Sequence, residues 1–190
     1  MKLFYLAFAG VLYLASFAGD AFAQSADDFI TVQLKDGPVV IELLPKTAPK
    51  HVAQIKALVA KGEYDNVAFH RVIDGFMAQT GDVQYGDMTD GYNPGAAGTG
   101  QSSLPNIPAE FSEVPFERGT VGMARSSDPD SANSQFFIMF APGDFLNGQY
   151  TVVGKVVSGM ELVDKIKRGA GANGEVSDPD RMVKVTLGKK

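Results

Sequence analysis

Arg71 stands in the segment Phe69-His-Arg-Val-Ile-Asp-Gly-Phe-Met-Ala-Gln-Thr-Gly-Asp82, which crowds a cation, a Met, a Gln and two Phe around two glycines. On an alternating strand Arg71 would share a face with Phe69 and Ile73. A guanidinium among apolar neighbours needs a partner or a ligand. This segment leaves both open: an arginine held by an acidic residue at the rim of a barrel, or one that meets a ligand.

Other chemistries lack their residues. The chain contains no Cys, which excludes thiol catalysis, Cys-ligated zinc, iron–sulfur clusters and a disulfide scaffold. His51 and His70, the only histidines, have no ligand spacing around them. They read as a surface position on a helix and a strand position, and no metal is expected. There is no G-x-S-x-G, and no set of Ser, His and Asp recommends itself as a triad. Gly169-Ala-Gly-Ala-Asn-Gly174 spells G-x-G-x-x-G, but it follows a helical pattern and runs into Glu175-Val-Ser-Asp-Pro. A dinucleotide site needs a strand before that string and a helix after it, so a connecting turn is predicted. Asp128-Pro-Asp130 and Asp178-Pro-Asp180 lack the alternation of a calcium loop. With 17 Lys+Arg against 22 Asp+Glu, a net charge of −5 and no basic run beyond Lys189-Lys190, a nucleic-acid footprint is missing.

The elements that must position Arg71 are short. At 190 residues, 45% of them hydrophobic, the chain makes one compact domain. Residues 29–35 alternate as a half-buried strand, Asp36-Gly37 signals a two-residue hairpin, and 39–44 return. Thr47 is the expected N-cap of a helix carrying Val52, Ile55, Leu58 and Val59 on one face and ending at Gly62. A second helix is predicted over 160–167, stopping at Gly169. Between them, 67–72, 119–124, 135–140 and 150–157 read as strands, with 182–187 closing the chain. Short strands punctuated by Gly and Pro point to an antiparallel sheet or barrel. Residues 83–108, rich in Gly, Asn, Pro, Ser and Thr, read as a long surface loop of the kind that is often functional.

Residues 1–23 stand apart. Met1-Lys2 lead into the uncharged run 3–19, followed by Asp20 and the small-x-small tripeptide Ala21-Phe22-Ala23. This predicts a secretory signal peptide cleaved after Ala23, leaving 24–190 as the exported domain with no membrane attachment. An uncleaved anchor is the alternative, although the run is shorter than the ~20 apolar residues of a spanning helix.

The Phe69–Asp82 segment closely resembles the signature of the cyclophilin-type peptidyl-prolyl cis-trans isomerases, F-H-R-V-I-x-G-F-M-x-Q-x-G-D. Gly119-Thr-Val-Gly-Met-Ala124 with Asn133-Ser-Gln-Phe-Phe-Ile138 resembles a second family block. Phe145-Leu-Asn-Gly-Gln-Tyr-Thr-Val-Val-Gly-Lys-Val156, followed by Gly159-Met-Glu-Leu-Val-Asp164, resembles a third. The resemblance implies a mainly β fold: a closed eight-stranded antiparallel β-barrel capped by two α-helices. Side chains fill a small barrel, so the site is expected on an outer face rather than inside.

By position, the resemblance implies that Arg71 is the catalytic arginine, with Phe76, Gln79 and Phe137 beside it. Phe76, Met77, Phe137 and Leu146 would hold the proline ring, and Gln79 would bond the substrate backbone while orienting Arg71. Ala124 and Arg125 would meet the extended peptide and Gln135 would line the adjoining groove. Phe136 and Phe137 are neighbours on a strand, so one faces the core and the other, Phe137, faces outward. Phe145 stands where many eukaryotic members carry Trp, and Tyr150 where they carry His, as in bacterial exported members. Phe145 lacks the indole N–H donor, so weak cyclosporin binding is expected. Partners would be proline-containing peptides and unfolded proteins, the protein a periplasmic monomer, and no cofactor is called for. A proline-peptide binding module or chaperone with incidental isomerase activity is the competing reading.

Overall fold

A computed structural model describes residues 28–89 and 92–188. The predicted signal at 1–23, its cleavage point and Lys189-Lys190 lie outside the described residues. The hairpin opens the fold with β1 (Phe29–Leu34) and β2 (Gly37–Leu43). Its turn is Lys35-Asp36, one residue earlier than the Asp-Gly signal suggests, because Gly37 pairs with Leu34 as the first residue of β2.

Helix α1 (Pro49–Lys61) buries His51, Val52, Ile55, Leu58 and Val59 and ends at Gly62 in the left-handed region, φ 73°. Thr47 does not cap it. Ala48 holds the N-cap without a side-chain bond, and the open N–H groups of Lys50 and His51 are taken instead by the Glu110 carboxylate, at 3.1 Å each to Oε2. His51 is not on the surface: it is fully buried on the same face as Ile55, its Nδ1 2.7 Å from Glu110 Oε2. Partial burial pushes the Glu110 carboxyl upward, but the bonds from the His51 ring and from the His51 and Lys50 amides outweigh it and hold it below its usual value.

The predicted strand 67–72 is two strands, β3 (Val67–Ala68) and β4 (Arg71–Ile73), broken at Phe69-His70. There the backbone turns to other partners, Phe69 N donating to Asp180 O and His70 O accepting from Val176 N. His70 is buried between the strands rather than part of one. Next comes β5 (Met77–Thr80), a strand that its Met-Ala-Gln-Thr sequence does not announce. Then follow β6 (Thr120–Met123), β7 (Phe136–Met139) and β8 (Val152–Ser158). Helix α2 (Met160–Val163) is shorter than expected, because Lys165 and Ile166 continue it with tighter i→i−3 bonds to Leu162 and Val163. β9 (Arg181–Met182) and β10 (Lys184–Leu187) complete the described chain.

Eight strands form one antiparallel sheet in the order β10-β1-β2-β8-β6-β7-β5-β4, and β3 pairs with β9 as a separate ribbon. The curled sheet does not form one continuous closed ladder among the described residues: β4 and β10 are its two edges. Residues 169–176 cover the β4 edge, Val72 N donating to Gly174 O at 2.7 Å and Val72 O accepting from Gly169 N at 2.9 Å. The G-x-G-x-x-G string is thus a connecting turn, stitched to a strand edge.

The sheet's two-residue period sorts its side chains into two apolar clusters. Ala78, Phe136 and Ile138 enter the main core with α1, whereas Met77, Phe137 and Met139 form an outer cluster with Phe116, Leu146 and Val152. Phe69 belongs to the main core. The break at Phe69-His70 removes the face it was expected to share with Arg71.

Candidate functional site

Sheet register assembles the site. Arg71 on β4 pairs with Gln79 on β5, Gln79 with Phe137 on β7, and Phe137 with Gly122 on β6. Directly paired residues project from the same face, so this row carries Arg71, Gln79 and Phe137 outward together. The row beside it, Ile73, Met77 and Met139, supplies apolar floor.

Arg71 is half-buried and meets no carboxylate: none of the ion pairs among the described residues includes it. Its Nε donates to Asn173 O at 3.0 Å and its Nη1 to Gln79 Oε1 at 3.2 Å, with Met77 Sδ 3.9 Å from Nη1. The rim ion pair that the segment left open is therefore not formed. Burial pulls the guanidinium below its ordinary value while Tyr150 acts in the opposite sense, and an arginine keeps its charge through such a change.

Against Arg71 lies a cavity of about 280 Å³, with Phe76, Met77, Phe137 and Leu146 as apolar wall. Gln79 borders it next to Arg71, and Ala124, Arg125, Phe145 and Tyr150 close the other side. Phe137 is fixed from below by Phe116, stacked at 5.7 Å and 20°, and from the side by the edge-on Tyr150 ring at 6.0 Å. Gly122 permits that stack: a Cβ there would fall 2.5 Å from Phe116 and 2.6 Å from Phe137. Phe145 sits in a 3₁₀ turn, Asp144–Leu146, that buries Leu146 and leaves Phe145 64% exposed, 5.5 Å from the Phe76 ring.

Gln135, alone of the expected set, lines not this slot but an adjoining polar cavity of about 380 Å³, which shares Gln79, Ala124 and Arg125 with it. Ala124 N is spent on Gln135 O at 2.9 Å, so its carbonyl and methyl are what it can offer a ligand. Arg125 folds over Tyr150, its guanidinium carbon 4.4 Å from the ring centre.

A line of amides ties Arg71 to the loop at 83–108. Gln79 accepts from Arg71 and donates to Gln135 Oε1 at 2.9 Å. Gln135 Nε2 donates to Gly98 O at 3.0 Å and Gly100 O at 2.8 Å. Those glycines' N–H groups end on Asp82 Oδ2, at 2.7 and 2.9 Å, and Asp82 Oδ1 takes Gln84 N and Tyr85 N. Asp82 is fully buried. His70 lies under Gly98, and burial, more than any neighbouring charge, lowers its pKa and keeps it neutral.

Sequence reasoning missed four contributors. Phe116 and Asn173 carry no local signal, since one acts as a stacking partner and the other through its carbonyl. Gly122 was visible within Gly119-Thr-Val-Gly-Met-Ala124, and Asp82 within the Arg71 segment, but neither announces a supporting role.

The arrangement presents a fixed cation with unspent N–H donors at the edge of an apolar slot, and no Ser, Thr, Lys, His, Asp or Glu lines it among the described residues. It can grip a small apolar ring and stabilise an electron pair developing beside that ring.

Residues 29–187 match the family model described as "Cyclophilin type peptidyl-prolyl cis-trans isomerase/CLD". A Brucella suis protein named "Probable peptidyl-prolyl cis-trans isomerase" is 62% identical over 168 residues, covering 88% of this chain and 86% of that protein. A cyclophilin crystal structure from Hirschia baltica superposes with a TM-score of 0.71 at 26% identity, covering 86% of this chain and 74% of that one. A Cryptosporidium parvum cyclophilin type peptidyl-prolyl cis-trans isomerase, crystallised in the presence of the dipeptide Ala-Pro, also gives 0.71 at 26% identity, covering 85% and 99%.

Proposed function

The chain belongs to the cyclophilin-type peptidyl-prolyl cis-trans isomerases, and on that footing we propose that X-Pro bonds rotate in the slot between Arg71 and Phe137. Amide resonance sets the barrier, ~18–20 kcal/mol for an ordinary peptide bond, and uncatalysed X-Pro isomerisation takes tens to hundreds of seconds. In the twisted state the prolyl nitrogen becomes pyramidal and regains its lone pair. A donor set against that nitrogen binds the twisted form better than either planar isomer, and only such differential binding speeds the step. No bond to carbon breaks, so the reaction calls for neither nucleophile nor redox group.

The carrying observation is Arg71 beside the slot, free of any carboxylate among the described residues and aimed by Gln79 Oε1 and Asn173 O. Those bonds use two of the five guanidinium hydrogens, and the second Nη1 hydrogen meets Met77 Sδ, 3.9 Å from the nitrogen. The Nη2 pair is left for the imide. Phe76, Met77, Phe137 and Leu146 hold the pyrrolidine ring, while Ala124, Arg125 and Gln135 hold the extended chain, so one side of the bond stays fixed and the other turns. Exclusion of water by the apolar wall strengthens the Arg71 donor. The neighbour crystallised with Ala-Pro supports proline-containing peptides as substrate. NMR exchange on a short X-Pro peptide, wild type against Arg71→Ala, tests the assignment.

The protein assists folding of exported proteins in the periplasm, as a domain spanning 24–190. This reading rests on the signal-like residues 1–23 together with Phe145 and Tyr150. Peptide mass spectrometry of the secreted protein is expected to place its first residue at Gln24, and a chain retaining Met1 at the membrane would replace export by anchoring. Cyclosporin binds weakly, because exposed Phe145 offers no N–H. Calorimetry is expected to give a micromolar Kd, tightened about three- to tenfold in Phe145→Trp by one added hydrogen bond. A nanomolar wild-type Kd would contradict it.

A further inference from the structure

Among the described residues, every charged side chain that borders the slot and the polar cavity beside it is a cation. Arg71 and Arg125 are the charged side chains lining the slot, and Arg125 is the one charged side chain among the described residues lining the polar cavity. This occurs in a chain whose formal charge is −5. The acidic residues nearest Arg125 in sequence, Asp128 and Asp130, line neither cavity. Asp128 Oδ1 accepts from Asp130 N at 2.9 Å, and Asp130 Oδ1 from Ala109 N at 2.8 Å.

Arg125 is also held in place. Its Nη1 donates to Ser126 O at 2.8 Å, its Nη2 to Gln149 O at 3.0 Å, and its plane rests on Tyr150. Each Nη keeps one hydrogen unspent, and Nε has no partner among the described residues. A guanidinium already ordered loses little rotamer freedom on meeting a ligand, and its flat, permanently charged donors suit a carboxylate. Asn106 and Ser131 line the same cavity and add neutral polar groups to such a seat.

We infer that Arg125 is a specificity-determining residue that favours proline peptides carrying Asp or Glu near the proline, the carboxylate entering the polar cavity. The inference rests on the slot being the proline site. It is tested by NMR exchange on alanine-based X-Pro peptides in which one flanking residue in turn is Glu or Gln. At one flanking position or more, the Glu peptide is expected to have a kcat/KM about three- to tenfold above its Gln counterpart at low salt. The ratio falls toward one at about 0.5 M salt and in Arg125→Gln, while Arg125→Lys, which keeps the charge without the planar fork, retains part of it. A ratio of one or less at every position in the wild type overturns the inference, as does a ratio unchanged in Arg125→Gln. Each ratio is taken within one protein, so a variant of lower overall activity still reports. Should the site reading itself fail, Arg71→Ala turns over both peptides at the wild-type rate. Should this inference alone fail, Arg71→Ala is slow on both peptides and the wild type treats them alike.

Discussion

Arg71→Ala is expected to lower kcat/KM on an X-Pro peptide by about two to three orders of magnitude, since one preorganised donor in a water-poor site contributes about 3–4 kcal/mol and each 1.36 kcal/mol is a factor of ten. The loss falls on kcat. On the proposed reading peptide affinity rests mainly on the apolar wall and the groove, which the substitution leaves standing, so KM is expected to change little. Arg71→Lys keeps the charge but loses the fork through which Gln79 and Asn173 aim the side chain. Its rate is expected to lie nearer that of Ala than of wild type. An Arg71→Ala protein with undiminished kcat would remove Arg71 from the mechanism.

Asp82→Ala is expected to destabilise the protein by about 3–5 kcal/mol, read as a lower urea midpoint. Its buried carboxylate accepts from four backbone N–H groups, those of Gln84, Tyr85, Gly98 and Gly100. Truncation leaves all four facing an apolar methyl. Asp82→Asn keeps one oxygen for one pair of donors and turns an NH₂ toward the other, so it is expected to lose about half as much. A loss below about 1 kcal/mol in Asp82→Ala would show that the loop closes without this anchor.

Where local pattern sufficed, the sequence was a good guide. The face of α1, its end at Gly62 and the opposite orientations of Phe136 and Phe137 all follow from period and turn chemistry. The eight-stranded antiparallel sheet followed from the family resemblance, while its edges at β4 and β10 did not. Failures came where distant residues intervene. Glu110, 59 residues from His51, turns an apparent surface histidine into a buried one and displaces Thr47 as the cap. Asp180 and Val176 break the strand at Phe69-His70 and so put Arg71 and Phe69 on different sides. β5 went unread because Met-Ala-Gln-Thr carries little strand signal, and only pairing with β4 and β7 makes it one. Ten of the eleven expected site residues border one slot, because the motif residues fall in adjacent register rows, and Gln135 lies next door.

The amide line from Arg71 to Asp82 has a fixed polarity. Each glutamine receives a proton donor on the guanidinium side and passes one on toward the carboxylate, so turning either amide over would set two NH₂ groups, or two oxygens, against each other. The far end of that thread is main chain in a loop that never touches the slot. Gly98 and Gly100 are thus joined to the guanidinium through two side-chain amides that share nothing with the apolar wall, so the cation's support and the wall's support come from different parts of the fold.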